Sequence, residues 1–384
     1  MKILYHHRIR SKDGQAVHVE ELIGALRGLG HEVIIAGPES FARASFGHDP
    51  KLLGTMKKLM PKAIYEALEI AYNIPAYRRL YRAWKKEKPD VLYERCNLYL
   101  LAGAWLKKRT GIKMLLEINA PLARERGAFG GLGLPLVARR LEQYVWRSAD
   151  FALPVTNVLA QEIRAAGVRP EKLVVIPNGI DPMRFAQGPD NESAKAALGL
   201  CGKLVLGFTG FMRDWHGLSD VLDWMALDDV PRHIHLLLVG DGPALAGLKA
   251  QAARLALQDR VTFAGLVDRD MVARMVAVFD IALQPKSVEY ASPLKLFEYM
   301  ALGKAIVAPD QANIREVLEP DVSGLLFDPE RAGSMTAAIA RLARDETLRA
   351  RLGEGARRSI DERGYTWKEN ARRVGALAQA TTAP

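Results

Sequence analysis

ALQPKSVEYASPLKLFEYMALGKAIVAP, residues 282–309, reads as a strand that gives way to a loop, then a helix, then a second strand. The helix is expected to begin close to Ser292, a good capping residue, with Pro293 suited to the first helical position. Backbone N–H groups from about Ser292 to Lys295 would then point out of the helix start. The same alternation of strand-like apolar runs and amphipathic helix-length segments extends in both directions from this stretch. It is the signature of parallel sheets covered by helices, so the fold class is α/β.

In the first half, strands are expected near Ile3–Tyr5, Glu32–Ala36, Val91–Tyr93, Met114–Ile118, Phe151–Pro154 and Leu173–Ile176. In the second half they are expected near Leu204–Thr209, His235–Val239, Val261–Phe263, Ile281–Gln284, Ala305–Ala308 and Gly324–Phe327. Between the two sets lies PNGIDPMRFAQGPDNES, residues 177–193, where Pro, Gly, Asn and Asp interrupt regular structure. A length of 384 residues fits two domains. They are placed at 1–180 and 181–365, with a C-terminal helix at about 366–384 packing back on the first. Ligands of open α/β sheets bind outside the carboxyl ends of the strands.

Composition narrows the function classes. The two cysteines, Cys96 and Cys201, stand far apart, so neither a disulfide framework nor a CxxC metal site is suggested, and a reducing cytoplasm fits. The opening residues lack the apolar core of a signal peptide, and no apolar run reaches membrane-spanning length. Residues 1–190 hold 30 Lys and Arg against 19 Asp and Glu, which accounts for the whole net charge of +10. Lys51–Thr110 is the most basic tract, and Ile64, Tyr65, Leu68, Leu80, Tyr81 and Trp84 are interleaved with its charges. It reads either as a solvated helix face or as a docking face for anionic lipid or an acidic acceptor, at the inner face of the plasma membrane. No zinc-finger spacing or RNA-binding aromatic signature accompanies the charge, so nucleic acid is not expected as a partner.

A helix start with outward N–H groups is an oxyanion site. A diphosphate leaving group gains negative charge as its bond to a sugar breaks, and fixed donors stabilise that charge most in the transition state. Lys295 adds a cation if it does not face solvent. Within the helix, Glu298 carries a carboxylate able to accept both hydroxyls of a ribose, although a surface glutamate would look the same.

Five landmarks stand in order along the chain: SADFALPVTN (148–157), VIPNGIDPMRF (175–185), LLLVGDGP (236–243), DRVTFAGLV (259–267) and SPLKLFEYMALGKAIVAP (292–309). In this the sequence resembles glycosyltransferase family 4, the retaining enzymes of GT-B fold, with two facing Rossmann-like domains, over nearly its whole length. The resemblance implies a sugar-nucleotide-dependent glycosyltransferase using a UDP- or GDP-sugar and no metal. Glu298 would bind the donor ribose, and the N–H groups at Pro293 and Leu294 would hold the diphosphate. Phe263 to Val267, Gly265 among them, would flank the base, and Gly14, with Asp13 and Gln15 beside it, would approach the diphosphate and sugar.

The sequence departs from the family in two places. Many members carry a sugar-touching glutamate eight residues before the ribose-binding one, where this chain has Tyr290. Glu289 is off by one, so sugar contacts pass to a rearranged loop or to N–H groups near Ala291 and Ser292. In FTGFMRDWHGLSD, residues 208–220, the usual phosphate-binding lysine is His216, so Arg213 is the stronger diphosphate candidate, with His216 contributing only if protonated.

Asn119 occupies a place where members often have a sugar-contacting histidine, and Asn119, Arg213 and Lys295 are the catalytic candidates. Glu117 and Arg124 are candidate neighbours of an acceptor, Glu94 and Arg95 lie at another strand end, and Glu125 and Arg126 look solvent-facing. Asp268-Arg269-Asp270 formally matches a D-x-D metal motif but is better read as a helix N-cap, GDGP as a turn, and His233 with His235 as no metal site.

The expected reaction moves a sugar from its nucleotide diphosphate to an acceptor hydroxyl on a glycan or lipid-linked acceptor. An epimerase or hydrolase on the same architecture, or a non-catalytic sugar-nucleotide binder, is the alternative.

Overall fold

Among the described residues eleven apolar runs form strands, and their pairings are all parallel. The structure is a computed structural model and describes residues 1–9, 14–38, 60–186 and 190–380. The chain divides into two compact units.

The first unit comprises Met1–Pro177, Tyr290–Ser292 and the C-terminal helix Trp367–Gln379. Its strands are β1 (Lys2–His6), β2 (Glu32–Ala36), β3 (Val91–Arg95), β4 (Lys113–Ile118) and β5 (Phe151–Pro154), in the order β2-β1-β3-β4-β5. The expected strand Leu173–Ile176 is not one. Val174 and Ile176 donate to the carbonyls of Ala152 and Pro154, but Pro177 follows at once and only an isolated bridge forms. Helix Trp367–Gln379 lies on helix Gly14–Gly28, burying Trp367, Ala371 and Val374, with the Trp367 and His18 rings 4.7 Å apart.

The second unit, Asn178–Glu289 with Pro293–Thr366, holds β6 (Leu204–Thr209), β7 (Ile234–Val239), β8 (Val261–Gly265), β9 (Ile281–Leu283), β10 (Ala305–Pro309) and β11 (Leu325–Phe327). Their order is β11-β10-β9-β6-β7-β8, a doubly wound sheet whose winding reverses between β6 and β9. Two apolar layers cover its faces. Leu204, Leu206 and Phe208 of β6 enter one and Val205 the other, as the period of two requires. Gly207 has no side chain because the Phe279 ring takes that space; a Cβ there would lie 2.1 Å from the ring.

Among the described residues no helix is long and apolar enough to cross a membrane.

Candidate functional site

The strand order of the second sheet reverses between β6 and β9, the place outside the strand ends where open α/β sheets bind ligands, and the helix after β9 brings polar groups there. That helix runs Leu294–Ala301, with Pro293 at the N-cap at φ −68°. Leu296, Phe297, Tyr299 and Met300 are buried in the sheet-facing layer. Lys295 and Glu298, three residues apart, therefore share the other side of the helix. The Lys295 ammonium sits 3.6 Å from the centre of the Phe208 ring. Burial pushes its pKa down to about 7, offset in part by Glu298. Burial likewise raises the Glu298 carboxyl, opposed by the charges of Lys295 and Arg269 and by a hydrogen bond from the Thr209 side chain.

Two strand-end loops form the floor. Gly240 has φ +128°, and a Cβ on it would lie 2.1 Å from the Gly210 carbonyl oxygen, so the loops after β6 and β7 meet backbone to backbone. Gly210 N–H donates to Val239 and Met212 N–H to Asp241. From this floor the β6 loop makes a single 3₁₀ turn, Asp214–His216. His216 is buried, its ring 5.1 Å from Phe208, and its Nδ1 accepts the Arg213 N–H at 3.1 Å. Burial, then the charges of Lys295 and Arg213, lower its pKa to about 3. The Arg213 side chain is exposed, its guanidinium 5.3 Å from the Phe211 ring centre.

The first unit carries a second polar cluster at the ends of β1, β3 and β4. Glu117 is its hub: it accepts from Arg95 and Asn119, from Tyr93 Oη at 2.9 Å, and meets His18 Nε2 at 3.3 Å. Burial alone would raise its carboxyl, but Arg95 and His18 hold it well below the usual carboxylate range. His6 Nδ1 bonds the buried Glu94 carboxylate beside it. A narrow cavity lined by His18, Tyr93, Glu117, Trp367 and Asn370 adjoins the hub.

Comparison with known proteins agrees with this architecture. The family described as Glycosyltransferase Family 4 matches residues 12–184, and that described as Glycosyl transferases group 1 matches residues 190–359. The chain belongs to glycosyltransferase family 4. It is an enzyme, a hexosyltransferase-type glycosyltransferase of GT-B fold. D-inositol 3-phosphate glycosyltransferase from Xylanimonas cellulosilytica is 27% identical over 96% of this chain and 92% of its own. GDP-mannose-dependent alpha-mannosyltransferase from Mycobacterium tuberculosis is 24% identical over 92% and 89%. Among solved structures, HepE from Anabaena in complex with UDP superposes with a TM-score of 0.77 at 18% identity, covering 98% of this chain and 99% of that one.

Several expectations about this glycosyltransferase need correcting. The Leu294 helix starts one residue later than the Ser292 cap implied, because Pro293 takes the N-cap. Proline has no N–H, so the donors that the first turn offers are those of Leu294 and Lys295. Tyr290, Ala291 and Ser292 group with the first unit, not with the helix that follows them. Tyr290 Oη donates to Glu125 at 3.0 Å, its carbonyl accepts from Thr156 at 3.0 Å, and its ring lies 5.1 Å from the Arg124 guanidinium. Glu125 is thus not simply solvent-facing. Nor is Arg126, which bonds Glu69 and lies over the Tyr65 and Tyr99 rings.

Burial and the neighbouring charges of Lys295 and Arg213 favour the neutral form of His216 in the free protein. Glu117 is an internal hub, and Asn119 in the first unit donates to it. Glu289 is exposed. Gly14 begins its helix, while Asp13 lies outside the described residues. Phe263 and Gly265 end β8, with Lys249 5.6 Å from the Phe263 ring and the Gly265 carbonyl accepting from Gly240. Asp268 takes the N-cap position without a side-chain cap bond. Its neighbour Arg269, which the D-x-D reading passed over, supports Glu298. Thr209 and Tyr299 were also missed, since residues this far apart in sequence meet only through the sheet. Among the described residues no group of three or more His, Cys, Asp or Glu could hold a metal.

The basic tract shows an inversion. Lys51–Leu59 lies outside the described residues, but helix Lys62–Ala71 follows. Its buried residue is Glu66, which accepts from the Gly133 and Leu134 N–H groups at 2.8 Å, while Ile64 and Leu68 are 51% and 52% exposed.

Proposed function

We propose that this enzyme transfers a hexosyl group from a nucleotide diphosphate sugar to an acceptor hydroxyl with retention at the anomeric carbon. The observation that carries the reading is the pairing of Lys295 and Glu298 on one helix face at the switch point of the second sheet. The Glu298 carboxylate accepts the ribose hydroxyls, while the Leu294 and Lys295 N–H groups, the Lys295 ammonium and Arg213 take the diphosphate. Phe263 and Gly265 flank the base. The anomeric C–O bond to the diphosphate breaks, the acceptor oxygen bonds that carbon, and the acceptor proton passes to the departing phosphate oxygen. The leaving charge is met by protein donors and cations, so the scheme calls on no metal ion. Retention rests on family membership. A UDP donor is supported by HepE, which was solved with UDP and with UDP-glucose, and a GDP donor by the mannosyltransferase relative.

A panel of UDP- and GDP-sugars assayed for nucleotide release, with and without glycan or lipid-linked acceptors, tests the reading. Release that requires an acceptor is the expected result; equal release without one would make the protein a hydrolase.

The Lys295 value sets a pH dependence. Below pH 7 the free protein already carries the ammonium that a diphosphate prefers. Above it, binding must take up a proton. UDP affinity is therefore expected to fall by up to about tenfold per pH unit between pH 7.5 and 9, and Lys295→Met to flatten that slope. A flat wild-type profile in titration calorimetry would remove Lys295 from the diphosphate site.

The acceptor is proposed to lie at an anionic membrane surface, the cytoplasmic face of the plasma membrane. Support comes from Ile64 and Leu68, which face outward from a basic region while a carboxylate is buried beneath them. Sedimentation with phosphatidylglycerol vesicles is expected to weaken with salt, and Ile64→Glu with Leu68→Glu to lower it by about tenfold or more. Binding unchanged in the double variant would exclude this face.

A further inference from the structure

We propose that Gln284 and Asn313 are positioning residues for the donor: their two buried amides hold the loop after β9, residues 285–289, in the shape that reads the hexose of the nucleotide sugar. The inference rests on the donor reading of helix Leu294–Ala301.

Strand β9 lies between β6 and β10, so the loop that leaves its carboxyl end starts between the loops that follow both neighbours. It is tied to each. On the β10 side, Asn313 of the short helix Ala312–Arg315 is fully buried, and its Nδ2 donates to the Val288 carbonyl at 3.1 Å. Gln284 is also buried; its N–H continues the ladder to Val307 of β10, and its Nε2 turns forward to the Lys286 carbonyl. On the β6 side, Gly217 has φ +73°, and a Cβ on it would lie 3.2 Å from Lys286 Cε, so the lysine stem lies against that glycine. The Lys286 ammonium stands 3.7 Å from Asp220.

A carbonyl only accepts, so each amide presents its NH2 group to the loop. The geometry of the peptide unit turns this into a pattern of donors. In a trans peptide the N–H of the next residue points opposite to the carbonyl. With the Lys286 and Val288 carbonyls turned inward to the amides, the Ser287 and Glu289 N–H groups are turned away from them. Neither N–H donates to a group among the described residues. Glu289 is exposed.

The order of the donor's parts makes the hexose their partner. With the ribose at Glu298 and the diphosphate at the Leu294 and Lys295 N–H groups, the nucleotide runs toward the start of the helix. The next group, the hexose, then lies beyond that start, on the side from which the chain enters. Residues 285–289 lie on that side and belong to the same unit as the helix. Sugar hydroxyls accept from such N–H donors, and a loop already fixed by two amides is not ordered at the expense of binding.

The test compares the C4-epimeric donors UDP-glucose and UDP-galactose, and the C2-epimeric donors GDP-glucose and GDP-mannose, on the full chain. Wild type is expected to prefer one member of a pair by about tenfold or more in kcat/KM. Asn313→Leu and Gln284→Met, of similar size without the amide, are each expected to cut that preference to about threefold or less. The Kd for UDP or GDP in calorimetry is expected to move by less than about threefold, which separates positioning of the sugar from general loss of structure. Hydrogen exchange of the wild type needs no variant: the preferred nucleotide sugar is expected to slow exchange at Ser287 and Glu289, and the matching nucleoside diphosphate to leave it unchanged. A wild type indifferent to the epimers, an unaltered preference in both variants, nucleotide affinity lost along with the preference, or no added protection from the sugar would overturn the positioning role. If wild type binds neither UDP nor GDP, the donor reading itself fails.

Discussion

Glu298→Ala is expected to lower kcat/KM for the nucleotide sugar by about 100- to 10,000-fold. The figure follows from two hydrogen bonds to a charged acceptor, each worth roughly 1.5–3 kcal/mol when the partner is stranded. The loss should appear in nucleotide binding as well as in turnover, because the ribose is bound in the ground state and the transition state alike. A second effect accompanies it: Lys295 loses the carboxylate that offsets its burial, so its pKa should drop further and the pH profile for UDP binding should move to lower pH. Isothermal titration with UDP or GDP, alongside initial rates, measures both. Wild-type affinity in this variant would remove the carboxylate from the donor site altogether.

Glu117→Ala carries the largest expected effect on stability, about 3–5 kcal/mol, because it leaves the buried Arg95 guanidinium without its counter-charge and strips partners from Tyr93, His18 and Asn119. For a unit of this size that is roughly 10 °C or more in the thermal transition. The sign with pH is fixed by the depressed carboxyl. Its contribution is complete above the unfolded value near ~4.3 and disappears as the pH falls toward the folded one. Calorimetry of the wild type and the variant at pH 7 decides it, and a shift under about 2 °C would mean that the hub contributes little. Because Glu117 belongs to the first unit, the transition of the second should stay in place.

The alternation of apolar runs and helical segments was enough to give the sheet class, since parallel strands buried on both faces must be apolar throughout. It failed at Leu173–Ile176, where the apolar run is real but Pro177 cuts the ladder. The Lys295 and Glu298 pair was legible because a spacing of three on a helix fixes a shared face. Their partners were not. Thr209 and Arg269 reach Glu298 through strand order, which no local period encodes. Pro293 was misplaced by one position, since a proline is equally at home just before a helix and inside its first turn. The neutrality of His216 depends on burial by Phe208 and on neighbouring charges, and a lone histidine in a loop announces neither. Glu125 looked like a solvent-facing charge because its partner, Tyr290, stands far along the chain.

The C-terminal helix that covers Gly14–Gly28 has a consequence for biosynthesis. Strands β1 to β5 and helix Gly14–Gly28 are synthesised well before Trp367, Ala371 and Val374, so the outer apolar side of that helix has no cover until those residues are made. At ~5–20 residues per second, the wait after Pro177 is on the order of 10–40 s. During that interval the nascent amino-terminal half exposes a greasy stripe. A ribosome that stalls anywhere between Pro177 and Trp367 therefore releases a product in need of a chaperone.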